Sequence, residues 1–371
     1  MSVLDILNRR KPDRIVYAPN YWQWFAHHRN HGLLPPEIAH CRDQLELIQE
    51  LGLDVFSRNV YCDEQRGWWG GFCEETWNGS VREWHEGCDR LIERTYGRLT
   101  ERLRYVFQES TLVQEKFAVD DFANQLDDLE ALLTSRHWCF VPERYAAIQR
   151  RVGDEGVVVA GELTSPLKML YVLLGPQDAT YCLMDYPERA AELLALHEAS
   201  QLDLVRQMSQ AGVRVMMAMD NLDSAFHPPH YVERYSASFY EKASRICHEH
   251  GSLFFIHACG RQRDNLPLIA SLGVDGLEGV AFPTLGDVEL DEAMRLSGDR
   301  LIITGGISAQ EFERLRTREQ VFAYVRELFE RMRPHAHRFM LSASCNTPYT
   351  APWQSIVWLR DAWREYAGSE D

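Results

Sequence analysis

The stretch LFFIHACG, residues 253–260, is a short apolar run that ends in a histidine and a cysteine. Near-continuous apolar runs of this length are typical of parallel strands that are buried on both faces. Similar runs recur along the chain, at residues 14–21, 54–61, 156–163, 213–220, 274–281, 300–307 and 337–344. Together they predict a sheet of eight parallel strands.

Helical patterns lie between these runs. Residues 187–212 carry apolar side chains at helical spacing and end at Gly212, a residue typical of helix C-termini. Residues 236–251 and 318–334 show the same pattern. Strand and helix therefore alternate through the chain, which predicts an α/β fold, a (β/α)₈ TIM barrel, as a single domain over residues 1–371. Short apolar runs are ambiguous, so the strand count is open by one.

Residues 80–119 break this alternation. Polar and apolar side chains alternate there around Gly87 and Gly97, which predicts an antiparallel β insert after the second strand. Such an insert at the top of a barrel either covers or extends the active site, or is a solvated decoration.

Composition excludes some classes of function. The chain has 371 residues, 45% of them hydrophobic, with 39 basic and 55 acidic residues and a net charge of −16. This balance argues against a nucleic-acid partner, and no apolar run approaches the roughly 18 residues of a membrane span. The N-terminal residues lack a signal-peptide pattern, so we expect a cytoplasmic protein. Its nine scattered cysteines are expected to be reduced.

Two of the predicted strands end in metal-ligating residue types. His257 and Cys259 follow the fifth strand, and Cys345 follows the eighth. Strand ends meet at the C-terminal face of a barrel, and residues i and i+2 of an extended chain point to the same side. One imidazole and two thiolates suit zinc and leave a position for chemistry. The alternative for Cys345 is a buried apolar role.

Glu278 ends the sixth strand, next to the fifth. We expect it to be a weaker, displaceable fourth metal ligand and a catalytic residue. Water is the alternative ligand, and Glu278 could instead cap a helix or pair with an arginine.

Two segments resemble the uroporphyrinogen decarboxylase superfamily. Residues 161–194, with Asp185-Tyr186-Pro187-Glu188 at a helix start, resemble the third-strand segment of that superfamily, and residues 257–280 resemble its fifth and sixth strands. The resemblance implies the barrel. The true decarboxylases carry an N-terminal Arg-Gln-Ala-Gly-Arg-Tyr motif, whereas residues 18–32 read APNYWQWFAHHRNHG. A substrate with many carboxylates needs several cations, so porphyrinogen decarboxylation is disfavoured.

The other branch of the superfamily contains corrinoid-linked methyltransferases, including coenzyme M methyltransferases and O-demethylase-type proteins. Its zinc motif, His-x-Cys and a distant cysteine, is matched by His257, Cys259 and Cys345, and its glutamate falls near Glu278. The resemblance implies a zinc methyltransferase whose corrinoid (cobalamin) is supplied by a separate corrinoid protein. Zinc would either activate a thiol acceptor or polarise a small methylated donor; we favour the second use.

Further residues are predicted to line the substrate pocket, and a homo-oligomer is conceivable. Asp220 ends the fourth strand, where it would orient the substrate or act as an acid, or else cap the following helix. Aromatic walls suit a methoxylated donor, although the tryptophans could equally be core residues. The predicted substrate-binding residues are Asn20, Trp22, Trp24, Arg58, Tyr61 and Tyr349. A metal-free decarboxylase and a non-catalytic binding protein are the alternative functions.

Overall fold

The computed structural model describes residues 2–58, 71–283 and 285–368. The strands are β1 (Val16–Tyr17), β2 (Val55–Ser57), β3 (Cys73–Thr76), β4 (Ser80–Glu86), β5 (Asp89–Tyr96), β6 (Leu99–Val106), β7 (Thr111–Lys116), β8 (His137–Phe140), β9 (Gly156–Leu163), β10 (Val215–Ala218), β11 (Leu253–His257), β12 (Gly276–Val280), β13 (Ile302–Ile307) and β14 (Phe339–Ala343).

The α-helices alternate with these strands. They are α1 (Ser2–Leu7), α2 (Trp22–Asn30), α3 (Gln44–Glu50), α4 (Phe122–Ser135), α5 (Pro142–Val152), α6 (Pro166–Leu174), α7 (Pro176–Asp185), α8 (Pro187–Gln210), α9 (Pro229–Tyr235), α10 (Ala237–Glu249), α11 (Leu266–Ser271), α12 (Leu290–Leu296), α13 (Glu311–Arg314), α14 (Arg318–Met332) and α15 (Trp353–Tyr366).

The predicted strands form one curled parallel sheet. In the described part of the chain its order is β1-β14-β13-β12-β11-β10-β9-β2, and every pairing is parallel. The two edge strands meet where the Asp54 N–H donates to the Tyr17 carbonyl at 3.0 Å. The Tyr17 N–H in turn donates to the Asp54 carboxylate at 3.1 Å. The eight-stranded parallel sheet is confirmed; the single domain over residues 1–371 stays a prediction.

Side chains alternate between the two faces of this sheet, as extended strands require. Val157 and Val159 of β9, with Phe255 of β11, belong to a cluster that also includes residues of α1 and lies on the concave face. Val158 and Ala160 belong to the larger core between the sheet and the surrounding helices. Phe255 and His257 are two residues apart in β11, so their side chains point to the same face. His257 therefore lies on the concave side at the carboxyl end of β11.

The residues after β2 form the predicted antiparallel structure. Strands β4 to β7 pair in sequence order into a four-stranded antiparallel sheet, and β3 pairs with β8. Gly87 and Gly97, at two of the turns, have φ of 64° and 61°, which explains the choice of glycine. The Gln23 side chain of α2 donates to the Glu109 carbonyl at 3.2 Å, so the antiparallel sheet packs against a helix that follows β1.

Among the helices in the described ranges, none combines the length and the apolar character that a membrane span needs.

Candidate metal centre

The three predicted metal ligands come together at the carboxyl ends of β11 and β14. One ligand atom from each of His257, Cys259 and Cys345 lies within 4.8 Å of the other two. The His257 Nε2 and Cys345 Sγ atoms are 3.7 Å apart. His257 is buried, whereas both cysteines are partly buried and belong to the cysteines without a disulfide partner. Two strands that are distant in sequence therefore converge on one group of soft donors.

This donor set fits a tetrahedral zinc ion. Zinc bonds of about 2.3 Å to sulfur and about 2.0 Å to nitrogen place neighbouring ligand atoms roughly 3.6 Å apart in a tetrahedron. The observed spacing of 3.7 Å between Nε2 and Sγ is close to that value. Three protein ligands would leave one position for a substrate atom.

Glu278 lies on the far side of the imidazole ring from the two cysteines. In the ladder between β11 and β12, His257 and Glu278 are register partners, and the Glu278 Oε2 atom hydrogen-bonds the His257 Nδ1 atom. The same oxygen accepts from Arg58 Nε at 3.2 Å. In this arrangement Glu278 orients the ring and leaves Nε2 for a metal, and its role as a metal ligand stays a prediction. The proposed alternative of an arginine partner is observed.

Arg58 joins the carboxylate to the thiols. It is buried beside Glu278, and its Nη2 atom lies 4.0 Å from Cys345 Sγ. Burial opposes the charged form of Glu278, but Arg58 and His257 outweigh it and lower the Glu278 pKa. Interaction with the Cys259 thiol, together with His257 and Arg58, holds the Cys345 pKa well below its usual range against the effect of burial. The centre therefore favours a thiolate at Cys345.

Gly279 allows the backbone of β12 to pass close to the ring of His257. Its φ is 99°, and a Cβ atom there would lie 2.6 Å from the Ser344 carbonyl and 3.1 Å from His257 Cε1. Any side chain at this position would collide with the backbone next to Cys345. A glycine is thus required by both conformation and space.

Asn20 and Trp22, two predicted substrate-binding residues, contact the loop that carries Cys345. Asn20 Nδ2 donates to the Cys345 carbonyl and to Asn346 Oδ1, each at 3.2 Å. Trp22 Nε1 donates to the same Asn346 oxygen. Both residues therefore position the loop, and a direct contact with substrate stays a prediction.

The structure gives different results for the remaining aromatic residues that were predicted to bind substrate. Trp24 is a correction: it is fully buried, donates to the Ala351 carbonyl and stacks on Trp353, so it is a core residue. Aromatic side chains serve cores as readily as pockets, which is why the sequence pattern did not separate the two roles. Tyr349 packs against His27 at 4.6 Å between ring centroids. Tyr61 lies outside the described residues.

Asp220 is buried and bound to structural groups. Its carboxylate accepts from the Ser165 N–H at 2.8 Å and from the Tyr240 hydroxyl. Ser165 is the N-cap of α6, the helix after β9, so Asp220 does not cap the helix that follows β10, which starts after Pro228. Burial raises the Asp220 pKa. A catalytic role for Asp220 stays a prediction.

Two residues near this centre were missed by the sequence analysis. Lys168, in the first turn of α6, interacts electrostatically with Asp220 and Cys259. His227 is buried in the segment after β10. A lysine at a helix N-terminus opposes the helix dipole, and this conflict was the available sequence indication for Lys168. No comparable pattern marked His227.

The fold and the site define an α/β protein with a metal-competent His-Cys-Cys centre at the carboxyl ends of its parallel strands. The chain belongs to the uroporphyrinogen decarboxylase (URO-D) family, whose profile matches residues 114–366. No curated protein sequence matches the chain.

Two solved structures are similar to this chain to different degrees. A methyltransferase from Methanosarcina mazei superimposes with a TM-score of 0.62, covering 98% of this chain and 97% of that chain at 14% sequence identity. A D-psicose 3-epimerase from Clostridium cellulolyticum H10 covers 62% of this chain and 86% of that chain at 9% identity, with a TM-score of 0.37. The first of these likenesses supports the fold over the whole chain.

Proposed function

We propose that this protein is a zinc-dependent methyltransferase that moves a methyl group between a small methylated substrate, such as a methoxylated compound, and a corrinoid protein. The observation that carries the proposal is the convergence of His257, Cys259 and Cys345, one imidazole and two thiols within 4.8 Å of one another. Soft donors in this number are suited to a catalytic zinc site with an open position.

Zinc held by these three side chains would act as a Lewis acid on the heteroatom of a methylated donor, or on a thiol acceptor. The protein's own residues prepare the site. The Glu278 carboxylate fixes the His257 ring through Nδ1, which directs Nε2 toward the two cysteines. Arg58 offsets the negative charge of the thiolates and of Glu278. The cluster therefore favours the thiolate of Cys345, one of the deprotonated ligands that metal binding needs, whereas the hydrogen bond with Cys345 and burial raise the pKa of the Cys259 thiol.

The comparisons support this choice of chemistry. A structure that superimposes over nearly the whole chain is named a methyltransferase. The first-strand region, residues 18–32, has a single arginine, Arg29, whereas a polycarboxylated porphyrinogen needs several cations. The corrinoid would be supplied by a partner protein and bring the methyl-carrying chemistry. The TIM-barrel closure, the cytoplasmic location and any homo-oligomer are further predictions.

Metal content tests the proposal. We expect about one zinc per chain in the purified wild-type protein, because three soft ligands form a complete catalytic set. Cys345→Ala is expected to lose this zinc, as measured by mass spectrometry of the metal bound to folded protein. The matched control is Cys88→Ala, an exposed cysteine in the turn between β4 and β5, which should retain zinc.

A wild-type protein that takes up no zinc even after reconstitution would contradict the proposal and favour the decarboxylase or binding-protein alternatives. With zinc established, methylated donors are screened against a reduced corrinoid, and methyl transfer is followed by the change in the corrinoid spectrum. Transfer by the wild type and Cys88→Ala, but not by Cys345→Ala, is the expected result.

A further inference from the structure

Lys168 lies at the rim of the same strand ends as the metal centre. It is partly buried in the first turn of α6, which begins directly after β9. Its backbone N–H donates to the Ser165 side chain at 3.2 Å. A cation at a helix N-terminus opposes the helix dipole, so its position there calls for a compensating interaction.

The ammonium group of Lys168 has no direct partner among the residues that the structure describes. Lys116 and Lys242 form ion pairs with Asp120 and Glu198, whereas Lys168 forms none within 4.0 Å of a described carboxylate. It interacts at longer range with Asp220 and Cys259. Both oxygens of Asp220 are already occupied by Ser165 and Tyr240.

His227 is a second unpartnered group in this region. It is 2% exposed, yet neither ring nitrogen has a hydrogen-bond partner in the described part of the chain. Burial and then the positive charge of Lys168 lower its pKa to about 3, against weaker opposing effects of Asp223. The ring is therefore neutral at pH 7 and carries one N–H donor, which makes no hydrogen bond of good geometry in the described part of the chain beyond a weak interaction with the Asp223 backbone. A buried polar atom of this kind is costly unless a ligand or a water satisfies it.

Tyr171 connects these two residues to a cavity. It follows Lys168 by three positions, which places both side chains on one face of α6, and its ring meets the His227 ring edge-on with centroids 4.9 Å apart. Tyr171 also lines a cavity of about 270 Å³, together with Phe226, His230 and Tyr231. Half of the described residues that line this cavity carry aromatic rings, and none of them carries a carboxylate.

We propose that Lys168 and His227 form a subsite for a carboxylate group of the methyl donor, whose apolar body occupies the adjoining aromatic cavity. This inference rests on the proposed function, because it assigns the class of its substrate: an aromatic or aliphatic carboxylic acid that carries a methylated heteroatom. Lys168 supplies the charge, and the neutral His227 ring supplies an N–H donor. Lys168 lies in the first turn of α6, which follows β9, so the subsite lies at the same carboxyl ends of the parallel strands as the metal centre.

Binding of two probes that differ in one group tests the subsite. 4-Methoxybenzoate and 4-methoxybenzyl alcohol are titrated separately into zinc-loaded wild-type protein by calorimetry. We expect the carboxylate to bind about tenfold or more tightly than the alcohol, because it gains charge-assisted hydrogen bonds. This first comparison needs no variant, so it does not depend on the folding of a mutant.

The variants then assign the preference to Lys168. Lys168→Met should bring the affinities of the two probes to within about twofold without weakening the alcohol, since only the charged contact is lost. Lys168→Arg should retain part of the preference, and His227→Asn should reduce it. The matched control is Lys242→Met, which removes a lysine that pairs with Glu198 on the helices and should leave the preference unchanged.

Equal binding of the two probes to the wild type, absence of binding of both, or a preference that survives in Lys168→Met would each overturn the subsite. These outcomes are separable from failure of the proposed function. Lys168-dependent carboxylate binding in a protein that neither holds zinc nor transfers methyl groups would retain the subsite and reject the methyltransferase. Zinc-dependent methyl transfer without a preference for the carboxylate probe would retain the methyltransferase and reject the subsite.

Discussion

The metal centre and the Lys168–His227 subsite lie at the same end of the sheet but differ in how their polar groups are satisfied. In the metal centre, Glu278 contacts both His257 and Arg58, and Arg58 reaches Cys345. In the subsite, Lys168 has no described ion-pair partner, and His227 has no described hydrogen-bond partner. Buried polar groups normally have partners. The polar groups of the metal centre are thus satisfied by protein contacts, whereas we propose that those of the subsite are satisfied by a bound ligand.

The largest expected effect separates the two clusters by their metal dependence. Cys259→Ala should lose stoichiometric zinc, because two remaining ligands do not form a catalytic zinc site. Lys168→Met should keep zinc at the wild-type level, since its charge does not hold the metal. Metal content of the two purified variants, measured side by side, checks both statements.

If Lys168→Met loses zinc as completely as Cys259→Ala does, Lys168 is needed for metal binding, and the two clusters are one site. Thermal unfolding of each variant is recorded alongside, so that loss of metal is not confused with loss of the fold.

Glu162 sharpens the comparison, because only one of the two oxygens of its buried carboxyl group has a partner among the described residues. Its Oε1 atom accepts from the Phe72 N–H at 3.3 Å, while Oε2 has no partner among the described residues. Burial raises the Glu162 pKa from 4.5 to about 8, so the side chain is protonated in the folded protein at pH 7. The unfolded chain releases this proton above pH 4.5, and stability therefore falls as the pH rises from 4.5 toward 8.

Glu162→Gln removes this titration. The free energy of unfolding of the variant minus that of the wild type should increase by about 3 kcal/mol between pH 4.5 and pH 7. Urea unfolding at the two pH values measures this difference. Glu143→Gln, at an exposed position in α5, is the control and should show no such increase. A difference that is the same at both pH values would mean that Glu162 is ionised in the folded state.

Glu278→Gln tests whether the carboxylate acts through the His257 ring. Loss of a carboxylate that orients a ligating histidine typically weakens metal binding by about 10- to 100-fold. We expect this reduction in zinc affinity with a stoichiometry that stays near one, measured by competition with a chelator. Glu289→Gln, which alters a partly exposed ion pair with Arg331, is the matched control. Complete loss of zinc in Glu278→Gln would instead identify Glu278 as a ligand.

The sequence predicted the parallel sheet because its strands are short apolar runs, and a strand period of two placed His257 and Cys259 on one side. Cys345 is close to these two residues only because β14 and β11 belong to the same parallel sheet, with their carboxyl ends at the same edge. The side of the ring that Glu278 contacts depends on the register of β11 with β12, which no local pattern encodes. Trp24 was misassigned because its sequence context resembles a pocket wall. His227 lies in a connecting segment, where residue spacing does not determine position.

Tyr240→Phe tests the structural role of Asp220. The Tyr240 hydroxyl donates to a fully buried Asp220 oxygen, so its removal leaves that carboxylate short of a donor beside Lys168. We expect a loss of about 1–3 kcal/mol in the free energy of unfolding, with zinc content unchanged. Tyr181→Phe removes a hydroxyl from an exposed tyrosine and should be neutral. If Tyr240→Phe instead has the stability of the wild type but binds the carboxylate probe more weakly, Asp220 serves the Lys168–His227 subsite rather than the stability of the fold.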